Sequence, residues 1–263
     1  MSPRTTLLTR AGFAAAAFFV SAVASAQPPA PQPAEGVEVL ARGPVHEAYA
    51  TTAEFPAPGP VVPKAPPDPV EELPPDERPA GDNVQWLPGY WHWDDEGDQF
   101  VWISGFWRVT PPGRVWVPGS WRQARGGFQW TQGFWQAAAP PQAQAVAQTD
   151  IEYLPEPPQP LEAGPSVPAP GDDFFYVPGC WVWRGHYVWR PGYYVQVRPN
   201  WVWVPDHFRW TPVGYVFVPG YWDRRLEDRG VLFAPVAFAP AVIARPAFVY
   251  TPVYAVSYQS MFT

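Results

Sequence analysis

The stretch RVWVPGSWR, residues 114–122, sets two Trp five residues apart around a Pro-Gly pair. Whether that pair turns a hairpin or kinks a strand decides how the chain is built. A two-residue hairpin loop favours turn types with positive φ at its first position, whereas proline is held near about −65°. Pro118-Gly119 is therefore a poor two-residue turn. It reads better as a bulge or kink inside a strand, where glycine relaxes the backbone and proline needs no ladder partner.

The same shape recurs eight times: WLPGYW from residue 86, WISGFW from 102, WVPGSW from 116, WTQGFW from 130, YVPGCW from 176, WRPGYY from 189, WVPDHF from 203 and FVPGYW from 217. Gly holds the fourth position in seven units and Asp206 holds it in the other, with Pro one residue earlier in six. Fourth positions lie 16, 14 and 14 residues apart in the first four units, and 13, 14 and 14 apart in the last four, with 46 between the groups. Self-similarity of this kind marks a tandem repeat, here in two blocks of four.

Of the 16 Trp, 12 are the first or last residue of a unit. The others, Trp93, Trp183, Trp201 and Trp210, lie two residues outside a unit end, which is the period of a strand. Between the aromatics come β-branched pairs such as Val101/Ile103, Val115/Val117, Val202/Val204 and Val216/Val218. One strand face is thus aromatic and the other largely aliphatic, and both suit a sheet. Turn chemistry falls between units, in DDEGDQ (94–99), PPGR (111–114), ARGG (124–127) and TPVG (211–214). These features predict an all-β fold, as two four-stranded antiparallel meander sheets of kinked Trp-rich strands with Pro-rich extended segments. Proline in strands that a meander makes central stands against it. An array of short hairpins turning at Pro-Gly is the alternative.

Outside the units, residues 1–26 read as an export signal: Arg4 and Arg10, the apolar run AGFAAAAFFVSAVA, then ASA before Gln27. The run is shorter than the roughly 20 residues that span a bilayer. Residues 27–83 are a Pro-rich extended segment, 84–136 the first repeat block, 137–172 a Pro-rich linker, 173–225 the second block and 226–263 an apolar, Pro-containing tail. In the Pro-rich parts, apolar Leu73, Tyr153 and Leu154 are candidates for docking on an aromatic face. The tail is expected to give one or two edge strands or an extended docking segment. Loss of Arg4 and Arg10 takes the formal charge from −7 to −9, with Lys64 as the only lysine, so phosphate backbones are poor partners.

The units, with NVQWLPGYWHWDDE, VPGCWVWRGHYVWRPG and RGVLFAPVAF, resemble the YXWGXW or WXXGXW repeat proteins, especially exported ones of the planctomycete type. That resemblance covers roughly residues 40–245. It implies an exported bacterial protein with tandem aromatic repeats, and it carries over no catalytic residue. Tyr194, Asp206 and Phe208 depart from the motif and make units six and seven the weakest strands.

No CxxC, HExxH or GxSxG occurs, and His46, His92, His186 and His207 are spread along the chain. The lone Cys180 is read as a buried core residue. Cys180 and His207 share a unit position, but a meander sets a strand between them. The acidic run Asp94, Asp95, Glu96 and Asp98 matches no complete calcium loop and reads as a hairpin turn. Glu227 and Asp228 beside Arg224, Arg225 and Arg229 read as a solvated charge run. No catalytic, cofactor or metal site is expected. The function expected is that of a non-enzymatic exported repeat protein, periplasmic or extracellular, with a structural or interaction role in the bacterial cell envelope and an envelope protein or polysaccharide as partner. The alternative is a polysaccharide-binding module whose ligand platform is Trp93, Trp183, Trp201 and Trp210.

Overall fold

A computed structural model describes residues 34–40, 42–50, 56–76, 78–138, 151–257 and 259–260. The proposed export signal and part of the linker lie outside them. Three short strands precede the repeats: β1 (Val37–Val39), β2 (Val61–Val62) and β3 (Glu71–Glu72). The first unit then forms β4 (Val84–Leu87) and β5 (Tyr90–Asp94), and the second forms β6 (Gln99–Ile103) and β7 (Phe106–Val109). Each strand stops at its X-Gly dipeptide, Pro88-Gly89 or Ser104-Gly105, and resumes after it. Since β4 pairs with β7 and β5 with β6, the two units fold onto one another as one long hairpin, interrupted halfway.

The pattern repeats three times. Units three and four give β8 (Arg114–Val117), β9 (Ser120–Ala124), β10 (Gly127–Thr131) and β11 (Phe134–Ala137). Units five and six give β12 (Phe174–Val177), β13 (Cys180–Trp183), β14 (Tyr187–Arg190) and β15 (Tyr193–Gln196). Units seven and eight give β16 (Trp201–Val204), β17 (His207–Thr211), β18 (Gly214–Val218) and β19 (Tyr221–Arg224). In each set the outer halves pair and the inner halves pair, all antiparallel.

The chain is therefore all-β, but the expected meanders are replaced by four kinked hairpins. The alternative fails too, because the chain does not reverse at Pro-Gly. Reversal takes place at 95–98, 125–126, 184–186 and 212–213, where Asp98, Gly126 and Gly185 adopt positive φ. PPGR connects two hairpins instead of closing one. No residue is bulged, since each X-Gly faces the X-Gly of the partner unit across a gap in the ladder. This also answers the objection from proline: its missing N–H falls where no ladder bond is due.

Register explains the six-residue motif. Position one of a unit lies opposite position six of its partner in all eight cases, for example Trp86 opposite Trp107 and Trp91 opposite Trp102. The eight aromatic pairs have ring centroids 5.2–5.6 Å apart and meet tilted or edge-on. Such contacts contribute about 0.5–1.5 kcal/mol each beyond buried area. A motif with aromatics at both ends pairs with itself when antiparallel, so one unit type serves both strands.

The tail is only partly at an edge. Its strands β20 (Gly230–Phe233) and β21 (Val236–Phe238) flank Ala234-Pro235 and run beside the second unit, β20 on β7 and β21 on β6. The kinks coincide: Ser104 Oγ donates to the Ala234 carbonyl at 2.9 Å. β1 covers β21 on one half, while β23 (Ala255–Val256) covers β20 on the other, giving two four-stranded sheets of mixed origin. After a short helix, α1 (Pro240–Ile243), strand β22 (Val249–Tyr250) lies parallel to β3. The apolar alternation of the tail reflects this interior place.

The main core joins Leu87 and Phe106 of the first hairpin, Phe134 and Trp135 of the second, Val204, Val216, Val218 and Tyr221 of the fourth, Leu232 of the tail, and Ala48 and Tyr49. The third hairpin instead leans on the fourth, through Phe175 against Trp222 and Tyr187 against Phe208. Within the core, Asp223 is 2% exposed and binds two buried guanidinium groups, Arg108 at 2.6 Å and Arg229 at 3.1 Å. Arg229 thus leaves the solvated charge run that its sequence neighbours suggest, because the carbonyls of Tyr49 and Arg224 and the Asp223 carboxylate replace its water. Arg225, Glu227 and Asp228 do remain at the surface.

Candidate functional site

The gap at each kink leaves glycine N–H groups turned out of the ladder, and buried donors need acceptors. Pro-rich segments supply them. Glu72 accepts from Gly89 N at 2.7 Å, from Gly105 N at 3.0 Å and from Trp102 Nε1 at 3.1 Å. In the second hairpin Glu47 accepts from Gly133 N at 2.9 Å and Trp130 Nε1 at 3.2 Å, with Gly119 N also bonded to it. In the third Glu162 accepts from Gly179 N at 2.5 Å and Tyr176 Oη at 2.9 Å. The fourth hairpin provides its own carboxylate: Asp206, in the place of the usual glycine, accepts from Gly220 N at 3.0 Å.

Each glutamate sits on a strap held by carbonyls as well. Trp91 and Trp107 donate to Asp68 O and Pro75 O, Trp135 donates to Ala48 O, and Trp181 and Tyr194 donate to Gln159 O and Val167 O. A Pro-rich chain suits this role, since it presents carbonyls with few N–H groups of its own to satisfy. The apolar residues expected to dock do so only in part. Leu154 is buried and bridges to Tyr215, but Leu73 and Tyr153 are 49% and 46% exposed. Docking rests on carboxylates and carbonyls, a role that isolated Glu residues in HEAYA, EELPP and LEAGP signal only in hindsight.

The seven motif glycines are there for space. None has positive φ, yet a Cβ on any of them would come closer than 3.0 Å to the position-one aromatic of the partner unit, as Gly133 to Trp116 and Gly179 to Trp189. Asp206 is tolerated where that partner is Phe217, whose ring is smaller than an indole. The anion sites differ in electrostatics. Burial raises the Glu47 and Glu72 carboxyls above the usual range despite their donors. Glu162, open to water, is lowered by the Gly179 amide. His46, beside Glu47, is lowered to about 4, first by burial. Its Nε2 bonds Pro88 O and its Nδ1 accepts from Ala48 N, a pairing that requires the neutral ring.

The four Trp proposed as a platform are distributed. Trp93 is buried, under Lys64 at 5.2 Å and against Phe100. Trp183 packs on Tyr187, and Trp210 lies opposite Tyr215. Trp201, beneath Arg224 at 4.1 Å, is the one that lines a groove, of about 400 Å³, where the second hairpin meets the fourth. Arg114, Arg198, Trp203, Gly220 and Trp222 line it with Trp201. Trp203 Nε1 and Arg114 Nη1 are buried without a partner there, and Trp86 Nε1 is likewise unpaired in the first hairpin.

The other sequence candidates stay apart. Asp94 Oδ1 accepts from Glu96 N in the first hairpin turn, and Lys64 pairs with Asp98. Cys180 is half-buried, its thiol pushed up to about 11 by burial, and it faces Arg190, while His207 bonds Pro205 O. Among the described residues no three His, Cys, Asp or Glu side chains gather as a metal site would need.

A family model described as the WXXGXW repeat, in two copies, matches residues 81–108, 171–193 and 198–223. No curated protein and no solved structure matches the chain. Each matched span falls on one kinked hairpin, so the two copies are its two strands, and the second hairpin has the same geometry without being matched. The chain is a WXXGXW repeat protein.

Proposed function

We propose that this is a non-enzymatic, exported protein of the bacterial cell envelope whose role is structural or interaction-based. The observation that carries the reading is the use of its polar chemistry: carboxylates, amides and indole N–H groups satisfy one another at the kinks. They hold the hairpins and straps together. The leader-like residues 1–26 support export. Recovery of the mature chain beginning near Gln27 in an extracytoplasmic fraction, with envelope partners captured on it, is expected. A chain retained in the cytoplasm with its leader intact overturns export, and capture of nothing from solubilised envelope overturns the interaction role.

Polysaccharide binding is the second reading, favoured by the groove beside Trp201 and Trp203. Titration with soluble glycans tests it by tryptophan fluorescence; an unchanged spectrum across the panel removes it.

A further inference from the structure

Three hairpins carry a strap with its glutamate across the kink; among the described residues the fourth is met by the linker on its inner half, where Leu154 bridges to Tyr215, and carries no strap on its outer half, β16 and β19. In the first hairpin Trp91, Trp102 and Trp107 all donate to strap atoms, and in the second Trp130 and Trp135 do. In the third, Trp181, Tyr176 and Tyr194 do the same. Among the described residues, none of the fourth hairpin's indoles, Trp201, Trp203, Trp210 and Trp222, has a hydrogen-bond acceptor. Its outer half faces the groove, and two donors without partners, Trp203 Nε1 and Arg114 Nη1, are on the groove residues. Arg198 stacks on Trp222 at 4.8 Å, as strap residue Arg78 stacks on Trp107 at 5.4 Å in the first hairpin.

We propose that this groove binds, from another molecule, an extended proline-rich peptide segment bearing a carboxylate, the same kind of segment that the other hairpins bind within the chain. The proposal rests on the interaction reading above and names the partner's chemistry. Charge sets the orientation of the guest. Gly220 N is already taken by Asp206, so the incoming carboxylate meets the guanidinium groups of Arg114 and Arg198 instead of the kink amides. The indole N–H groups are left for backbone carbonyls, and a proline-rich guest keeps the entropic cost of ordering low.

The probe is a peptide copying residues 66–78, PPDPVEELPPDER, titrated calorimetrically into the full mature chain. Saturable binding is expected, about tenfold weaker for a peptide with Gln at both central Glu positions and about fivefold weaker in an Arg198→Ala protein. Arg198 is exposed, and Trp201→Leu gives a second, independent variant if a folding defect is seen. No binding, or binding as tight in both variants as in the parent, overturns the proposal, because a peptide exchanging onto the first hairpin ignores Arg198 and Trp201. Binding of an acidic polysaccharide in place of the peptide, lost in the same variants, overturns it in favour of a glycan groove. An envelope partner that is still captured by Arg198→Ala protein leaves the interaction role standing while this site falls.

Discussion

At the scale of single residues, the glycine of each unit answers to an aromatic ring on the opposite strand. Gly179 has no room for a Cβ because the Trp189 ring would lie 2.6 Å and the Arg190 carbonyl 2.8 Å from it, while its φ is not in the left-handed region. Gly179→Ala should therefore destabilise the chain by about 1–3 kcal/mol through overpacking. Trp189→Phe in the same chain should recover part of the loss, since Asp206 with Phe217 is a natural instance of the larger residue with the smaller ring. A double-mutant cycle on urea midpoints reads the coupling, and additive losses would refute the steric account. The sequence revealed that Gly and Trp recur together. It did not reveal that they touch across the hairpin, because the contact joins position four of one unit to position one of its partner unit, and within a single unit the two residues look merely like neighbours.

At the scale of elements, a strap is fixed by one carboxylate and a few carbonyls, so its attachment has a single weak point. Glu72→Ala leaves Gly89 N, Gly105 N and Trp102 Nε1 without their acceptor and should cost about 1–3 kcal/mol. Glu162→Ala should cost less, since water replaces the carboxylate at the more open third hairpin. Equal losses would show that burial does not govern these sites, and protease accessibility near Asp68 and Pro75 should rise only in the first variant. Strand kinks were legible at this scale because proline and glycine are backbone statements. Pairing was not, because a meander and a series of hairpins share turns, faces and spacing, and differ only in whether the connections at 110–113 and 197–200 close a ladder. The tail makes the same point, since RGVLFAPVAF reads as apolar strand broken by Pro but does not say that it joins the second unit.

At the scale of the whole molecule, distant parts of the chain are tied by buried charge. Asp223 links Arg108 of the first hairpin to Arg229 of the tail, so Asp223→Ala strands two guanidinium groups and should cost about 3–5 kcal/mol, seen as a lower midpoint for the entire unfolding transition. Nothing in the sequence distance of 115 residues between Arg108 and Asp223 announces that pair. Acid should strike the same region. His46 and His207 are both lowered from 6.5 to about 4, chiefly by burial, with Arg108 acting on His46 and Arg209 on His207. An unfolded histidine takes its proton near pH 6.5 and the folded one only near 4, so their stabilisation is full above 6.5 and is lost as pH falls through that window. Each contributes on the order of 3 kcal/mol at most. Glu47 and Glu72 act in the opposite sense: raised carboxyls give most stability below about 4.5 and lose it as pH rises, which offsets part of the histidine slope. Urea midpoints measured from pH 7 to pH 4 should therefore fall toward acid in the parent chain, and fall less in His46→Gln, whose amide can donate to Pro88 O and accept from Ala48 N without titrating. An identical slope in that variant would mean that His46 is protonated in the folded chain, and the neutral pairing between the strap and the first kink would have to be abandoned.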